Sequence, residues 1–348
     1  MARLLILVTT ETDTRRASAR AGQPSRAAWS FNVNRRFAQQ ILSALITVAC
    51  LTATGLGQDD VVKLKADLVT VDATVTDKDG NFIRNLKADD VTIYEDGVAQ
   101  KLDFFEASEQ AALTRPLAVV VAIDTSGSIK PEEIQRQREA TENFMRLVRP
   151  ESVFAVMAFN SDVRVLQDFT SDPRKISAAF QKIGEVTGSS RIFGSIDKAV
   201  AMLKRAPRYR QGRRLRRVVI VLTDGYDNVS PPDQADLIRR ANDAEVTVFS
   251  ITLPSYMPGG PSDRRVMTLL DVSRIVPMTG GADFSADTRD FAPVFKSIAE
   301  EIRSGYTLAY YPPEASRRDG RLHQVRVECK RVGAIIRASR TSYQAPAK

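Results

Sequence analysis

From Pro116 to about residue 305, nearly continuous apolar segments alternate with amphipathic ones. The segment "LAVVVAID", residues 117–124, is apolar up to its last residue, which is typical of a strand buried on both faces of a parallel sheet. The segment after it, "PEEIQRQREATENFMRLV", begins with proline and two acids and has apolar residues at helical spacing. Similar apolar runs recur at "SVFAVMAF", "RVVIVLTDG" and "EVTVFSITL", with helical patterns between them. The alternation predicts a doubly wound α/β domain with a mostly parallel sheet over residues 116–305.

The segments on either side of this domain have strand character. "LVTVDATVTDKDGNFIRNL" and "DVTIYEDGVAQKLDFFE" alternate apolar and polar residues around turns at Gly80 and Gly97, and "YTLAYYP", "LHQVRVEC" and "AIIRASR" follow residue 305. Neither flank has enough strands to bury a face alone. We therefore expect residues 59–115 and 306–348 to pair into one β sandwich, into which the α/β domain is inserted. The alternative is two separate small β modules.

The first 58 residues are typical of an export segment. Arg35 and Arg36 precede the apolar run "ILSALITVACLTATG", which is short for a membrane span and ends in small residues before "GQDD". We expect cleavage near Gly57 or Gln58, and a mature chain without a transmembrane span in the periplasm, at the cell surface or in the medium. Cys50 is interpreted as an apolar residue of the removed segment, with lipoprotein acylation as the alternative.

The positive charge is unevenly distributed along the chain. The formal net charge is +8, but residues 1–58 hold seven arginines against Glu11 and Asp13, which leaves about +3 for the remainder. This argues against a nucleic-acid partner. The basic stretch, "KRAPRYRQGRRLRR" from Lys204 to Arg217, is interpreted as a solvated helix end and loop before a buried strand. The alternative is a patch that binds anionic polymers or lipid headgroups.

Several enzyme classes lack the residues they need. His323 is the single histidine of the chain, so a multi-histidine zinc site is excluded and a Ser-His-Asp triad would have to use that residue. It lies in the alternating run "RLHQVRVEC", where we expect it to face solvent. Cys329 is the one cysteine beyond the export segment, so the exported chain has no internal disulfide. No glycine-rich phosphate loop with lysine is present. We expect a protein that is not an enzyme.

Polar side chains follow two of the apolar strands. Asp124, Ser126 and Ser128 come directly after "LAVVVAI", and Asp224 follows "RVVIVLT". Parallel strands end at one edge of such a sheet, so these residues are expected to converge although about 100 positions separate them. The plain alternative is that the serines only begin the helix at Pro131.

Carboxylates and hydroxyls without nitrogen or thiolate suit a hard divalent cation. We expect Mg²⁺ or Mn²⁺, with Ca²⁺ as a further candidate. The loop "GSSRIFGSI" offers Ser189 and Ser190 as a third source of hydroxyl ligands. Since few ligands are anionic, the ion is expected to accept a carboxylate from a partner. Asp227 and Asn228 are interpreted as turn residues.

The combination of "DTSGS" and "LTDG" resembles the metal-ion-dependent adhesion site of von Willebrand factor type A domains. The resemblance implies that Ser126 and Ser128 ligate the ion directly, and that Asp124 and Asp224 act directly or through water. It also implies a threonine from an intervening loop, for which this chain has a serine, Ser190 or else Ser189. The two flanks resemble those of exported bacterial proteins whose type A domain lies between β-rich segments.

These patterns together predict a non-enzymatic protein of exported bacterial type that binds or adheres to a protein partner in a metal-dependent way. The partner is expected to present an acidic side chain, and another copy of the same chain is one candidate. The alternative function is that of a metal-independent structural envelope protein, which contacts anionic partners through the basic stretch or the β sandwich.

Overall fold

The computed structural model describes residues 68–107, 115–224, 227, 233–253, 274–286 and 289–347. The export segment with Cys50 lies outside these ranges. So does most of "DRRVMTLLDVSR", residues 263–274, whose pattern predicts a further helix of the α/β domain. The α/β part contains β5 Leu117–Asp124, α1 Pro131–Leu147, β6 Val153–Phe159, β7 Val163–Thr170, α2 Pro173–Phe180, α3 Ile192–Arg205, β8 Tyr209–Arg210, β9 Arg213–Arg214, β10 Arg216–Thr223, α4 Gln234–Asp243, β11 Val246–Thr252, α5 Ile275–Met278, β12 Asp283–Ser285 and α6 Ala292–Arg303. The flanks contain β1 Val69–Thr76, β2 Val91–Glu95, β3 Val98–Gln100, β4 Phe104–Ala107, β13 Tyr306–Tyr310, β14 Leu322–Cys329, β15 Ile335–Ala338 and β16 Ser342–Gln344.

The central sheet has the strand order β12-β11-β10-β5-β6-β7. All its neighbours are parallel except β6 and β7, which pair antiparallel. Every residue of β5, β6, β10 and β11 is buried, as their apolar runs predict. The chain leaves β5 for β6 on one side and later returns to β10 on the other, so the connections diverge at β5. This is where doubly wound sheets bind their ligands.

Helices cover both faces of the sheet. On one face Phe144 of α1 packs edge-on against Phe154 of β6 and also contacts Phe295 of α6. On the other face Phe193 and Ile196 of α3 are fully buried against the same strands. The predicted mixed fold class, with a mostly parallel sheet and flanking antiparallel strands, is confirmed. The edge strand β7 has no counterpart in the sequence analysis, because its half-exposed residues form no continuous apolar run.

The two flanks contribute strands to the same sheets. One sheet has the order β15-β1-β13-β4 and the other β16-β14-β2-β3, so strands from before and after the α/β domain are neighbours in each. Both sheets share one apolar core that includes Val71, Ile93, Leu308 and Val327. The domain boundaries 58/59, 115/116 and 305/306 stay predictions. Among the residues that the structure describes, none of the helices combines the length and apolar character needed to cross a membrane.

His323 is buried rather than solvent-facing, so that prediction was wrong. The residue is 4% exposed, its ring stacks on Tyr343, and its nitrogens contact Asp96 at 2.7 Å and Asp319 at 3.0 Å. Burial lowers the pKa of His323, but the two carboxylates outweigh it and the net shift is upward. Alternate residues of a strand face the same side, and in β14 His323 shares the inner face with Val325, two residues further along. This alternation was the signal that the sequence analysis overlooked.

The basic stretch is only partly a solvated loop. Arg216 and Arg217, which end it, are the first two residues of β10 and are buried. Arg214 forms an ion pair with Glu245. Arg217 donates to the carbonyls of Ala244 and Ala206. These contacts could not be predicted from the basic stretch alone, because their acceptors come from other parts of the chain that the fold brings close.

A buried ion cluster joins the sandwich to the α/β domain. Asp72 of β1 lies 2.8 Å from Arg115, which precedes β5, and 3.6 Å from Arg216 of β10. The hydroxyl of Thr307 in β13 donates to the same carboxylate at 2.8 Å. Burial opposes ionisation of Asp72, but the two guanidinium groups and the hydrogen bonds hold the pKa of this carboxyl well below its usual range. The cluster therefore resists protonation and stabilises the junction of the two parts.

Asp72→Asn should lower the free energy of unfolding by about 3–5 kcal/mol at pH 7, because Arg216 stays buried without its counter-charge. The depressed pKa of Asp72 means that its contribution is complete above the unfolded-state pKa near 4 and is lost progressively as the pH falls below that value. Urea unfolding between pH 7 and pH 2 should therefore show a shallower acid limb in the variant. The exposed control Asp89→Asn should change stability by less than about 0.5 kcal/mol, and equal losses in both variants would contradict the role of the cluster.

Candidate metal site

At the end of β5, the carboxylate of Asp124 is surrounded by hydrogen-bond donors. Asp124 is fully buried, and its Oδ1 accepts the backbone N–H of Ser126 at 2.8 Å. Its Oδ2 accepts the hydroxyls of Ser190 at 2.7 Å and Thr223 at 2.6 Å. Thr125 anchors the loop from the other side, since its N–H and its hydroxyl both donate to the carbonyl of Phe159 at the end of β6. The carboxylate is thus held by three separate segments of the chain.

The two serines of "DTSGS" lie between the two carboxylates. The hydroxyl oxygens of Ser126 and Ser128 are 3.3 Å apart, and the Ser128 side chain hydrogen-bonds to Asp224. Ser126 is 4% exposed, whereas Ser128 is exposed to solvent. The cluster therefore has a buried end at Asp124 and an open end at Ser128, where a ligand from solution has access.

The loop before α3 is fastened to the β5 loop by backbone hydrogen bonds. Thr187 N–H donates to the carbonyl of Thr125 at 2.9 Å, and Gly127 N–H donates to Gly188 at 3.3 Å. Gly188 has φ +88°, and a Cβ there would lie 2.9 Å from the Ser161 hydroxyl, so glycine is required. This arrangement turns Ser190 inward, at 5% exposure. Ser189 instead donates its backbone N–H to Ser161 and is partly exposed, which favours Ser190 of the two candidates.

The carboxyl groups of the site are held in surroundings that disfavour their ionised forms. Burial raises the pKa of Asp124 in spite of its hydrogen bonds, and burial together with the nearby charge of Asp124 raises the pKa of Asp224. Burial also raises the pKa of Glu133 in the first turn of α1, and its charge acts on Asp224 too. Neither Asp124 nor Asp224 forms an ion pair with a lysine or arginine of the described ranges. A divalent cation would supply the positive partner that these two carboxylates lack.

The donor set fits a hard cation better than a soft one. No group of three His, Cys, Asp or Glu side chains in the described part of the chain could by itself hold a metal ion. The oxygens that converge here belong to two carboxylates and three serine hydroxyls: Asp124, Ser126, Ser128, Ser190 and Asp224. Such a set suits Mg²⁺ or Mn²⁺, which retain waters in part of their coordination sphere.

Two residues contribute to the site beyond those predicted for it. Thr223 is fully buried and donates to Asp124, and a hydroxyl at the last position of an apolar strand, directly before Asp224, was the signal for it. Asp227 accepts the backbone N–H of Phe193 at 2.8 Å. It thereby satisfies a free backbone donor in the first turn of α3, which directly follows the loop that carries Ser190. Asn228 lies outside the described residues.

Comparison with protein-family models gives a match to the von Willebrand factor type A domain over residues 119–226, from within β5 to just beyond Asp224. A search of curated proteins found no match.

Among solved structures, a von Willebrand factor type A protein from Catenulispora acidiphila is 14% identical, with 74% of each chain covered and a TM-score of 0.45. An aerotolerance-related membrane protein from Bacteroides fragilis is 17% identical, covering 53% of this chain and 98% of that one, with a TM-score of 0.40. Proximal thread matrix protein 1 from the mussel byssus, solved with a zinc-occupied MIDAS motif, is 15% identical at a TM-score of 0.43. This match covers 57% of the present chain and 47% of the mussel protein.

Asp224→Asn should stabilise the metal-free protein at pH 7, because it removes one of two adjacent buried negative charges, and burial together with the charge of Asp124 raises the pKa of Asp224. The measurement is urea unfolding in EDTA, with Asp162→Asn as the exposed control that loses the same charge. In saturating Mg²⁺ the order should reverse, since the variant lacks a ligand. A metal-free variant that is less stable than the parent would show that Asp224 has an ordinary structural role.

Proposed function

We propose that this chain, whose residues 119–226 form the core of a von Willebrand factor type A domain, is a binding protein that holds its partner through a divalent cation. Type A domains mediate protein interactions, and that general role is the one that family membership supports. The finer proposal concerns the ion, which would be Mg²⁺ or Mn²⁺, and its ligands Asp124, Ser126, Ser128, Ser190 and Asp224.

The observation that carries the proposal is the pair of buried carboxylates, Asp124 and Asp224, without a cationic partner in the described ranges. Leaving such charges unpaired in a protein interior is costly, so a native site of this kind is commonly filled by an ion. The ion would supply a positive centre able to accept a carboxylate oxygen from outside. Ser126 and Ser190 would hold it from the buried side, and Ser128 would hold it at the solvent-facing side.

The local chemistry supports binding rather than catalysis. His323, the single histidine of the chain, lies in β14 of the sandwich, and both of its nitrogens already contact carboxylates. The candidate site therefore has no imidazole that could act as a general base for Ser126 or Ser128. Its carboxylates instead accept hydrogen bonds from hydroxyls and, at Asp124, from a backbone N–H.

The cellular setting of this proposal is that of an exported bacterial protein, in the periplasm, at the cell surface or in the medium. The partner is a protein that presents an aspartate or glutamate side chain, either a different envelope or extracellular protein or a second copy of this chain. An acidic ligand follows from the preference of Mg²⁺ and Mn²⁺ for carboxylate oxygen at the coordination position that is open at the Ser128 end of the site.

Metal-stripped protein should gain thermal stability on titration with Mg²⁺ or Mn²⁺, because a ligand of the folded state stabilises it by mass action. At a hundredfold excess over the Kd the gain is about 2.7 kcal/mol. Ser126→Ala/Ser128→Ala should lose this response, whereas Ser171→Ala/Ser297→Ala, which removes two serines far from the site, should keep it. A response of equal size in both double variants would contradict the ligand assignment.

The same titration distinguishes the two candidate serines of the loop before α3. Ser190→Ala should lose most of the stabilisation by metal, since its hydroxyl contacts Asp124, and Ser189→Ala should retain it. The opposite result would make Ser189 the ligand and would leave the rest of the proposal standing.

Selection of a random peptide display library on immobilised protein tests the acidic partner. Peptides retained in Mg²⁺ and released by EDTA should be enriched in aspartate or glutamate, and the Ser126→Ala/Ser128→Ala variant should retain few of them. Enrichment that resists EDTA, or that shows no acidic residue, would contradict binding through the cation. Sedimentation velocity in Mg²⁺ and in EDTA, run in parallel, would reveal metal-dependent association of two copies.

A further inference from the structure

A cavity of about 620 Å³ opens between the β sandwich and the α/β domain, at the edge of the central sheet opposite to the candidate metal site. Arg115 precedes β5 and Arg214 precedes β10, so the cavity lies at the amino ends of these strands. Thr70 of β1 and Ala309 of β13 line it from the sandwich side. Since β5 has eight residues, about 25 Å separates this cavity from Asp124.

The lining of the cavity carries an excess of positive charge. Six cationic side chains line it, namely Arg115, Lys204, Arg208, Arg214, Arg317 and Arg340, against the three carboxylates of Glu106, Asp243 and Glu245. Two of the cations are already neutralised, because Arg115 pairs with Asp72 and Arg214 pairs with Glu245.

The other cations of the lining are paired with carboxylates weakly or not at all within the described ranges. Lys204 and Arg208 form no ion pair with any residue of the described ranges. Within the part of the chain that the structure describes, Arg317 donates to the backbone carbonyl of Pro312 and to no other acceptor. Asp243 does not offset them fully, since it accepts the backbone N–H of Gln344 and lies 3.7 Å from Arg239. Glu106 is the remaining carboxylate of the lining, so four cations face two carboxylates and a net positive charge is left for a ligand to satisfy.

Arg340 is the most informative of these groups. It is 5% exposed, its Nη2 donates to the carbonyl of Asn242 at 2.7 Å, and its Nε is buried without a hydrogen-bond partner. Its nearest carboxylate is Glu245 at 3.7 Å, which Arg214 already shares. Burial lowers the pKa of Arg340, which reflects the cost of this charge in the interior. An anion in the cavity would offset that cost.

The cavity also has an apolar side. Phe104 is 45% exposed and Tyr209 is 54% exposed, and both line it together with Pro312 and Pro346. Large aromatic side chains beside unpaired cations are typical of sites that bind an organic anion with an apolar body. The volume lies within the range of about 300–1,000 Å³ that small-molecule sites have.

We infer that this cavity is a binding site for a small organic anion, in which a carboxylate or phosphate group contacts Lys204, Arg208 and Arg340 and an apolar body lies against Phe104 and Tyr209. A polyanion fits less well, because Arg216 and Arg217 of the basic stretch are buried and three carboxylates interrupt the remaining charge. The site is independent of the proposed cation and of the partner held through it.

Anilinonaphthalene sulfonate is a suitable probe, because it joins an anionic group to an aromatic body and fluoresces when bound. The folded protein should bind about one molecule, and EDTA should leave the affinity unchanged. The neutral analogue phenylnaphthylamine should bind at least about tenfold more weakly, since it lacks the charged contacts. Equal affinity for the two dyes, or loss of binding in EDTA, would overturn the inference.

Matched charge variants locate the probe. Lys204→Gln/Arg208→Gln should weaken binding of the sulfonate about tenfold or more, whereas Arg205→Gln/Arg210→Gln, which removes two cations of the same stretch outside the cavity, should not. Equal effects of the two pairs would indicate general charge attraction and overturn the site. Displacement of the dye from the parent protein by benzoate or by phenyl phosphate assigns the natural anion as carboxylate or phosphate, and displacement by neither would also overturn it.

Discussion

The parallel pairing of β5 with β10 determines the positions of both candidate sites. Its register sets Ile123 opposite Leu222, so the residues that follow, Asp124 and Thr223, come within hydrogen-bonding distance at the carboxyl edge. At the amino edge the same pairing brings Arg115 and Arg216 to the carboxylate of Asp72. The apolar burial of these two strands therefore positions polar groups at both of their ends.

At the carboxyl ends of β5 and β10, two like charges lie close together, and one of them is fixed by several hydrogen bonds. Asp124 and Asp224 are buried close to each other, and the raised pKa of each reflects that cost. Yet the hydroxyls of Ser190 and Thr223 and the N–H of Ser126, which belong to three segments of the chain, hold Asp124 in one orientation. Like charges that are held in fixed orientations at a cost in stability are typical of a binding site rather than of residues with a purely structural role.

The sandwich has more than a supporting role. Its strands come from both flanks, so the segments that enter and leave the α/β domain belong to the same sheets, and the buried cluster around Asp72 attaches the two parts. Part of the basic stretch, through Arg216 and Arg217, is consumed in this attachment and in the adjoining core. The rest, through Lys204 and Arg208, faces the cavity between the two parts.

The sequence by itself was sufficient to predict the doubly wound sheet, the β character of both flanks and the convergence of Asp124 with Asp224, because apolar periodicity and strand-end positions are local signals. It was not sufficient for His323, whose burial follows from the partners of β14, or for the edge strand β7. Only the tertiary structure decided that Ser190 rather than Ser189 faces Asp124, that Thr223 shares this carboxylate, and that Arg216 is an internal ion-pair partner. Each of these depends on contacts between residues far apart in the chain, and such contacts exist only once the strands are paired.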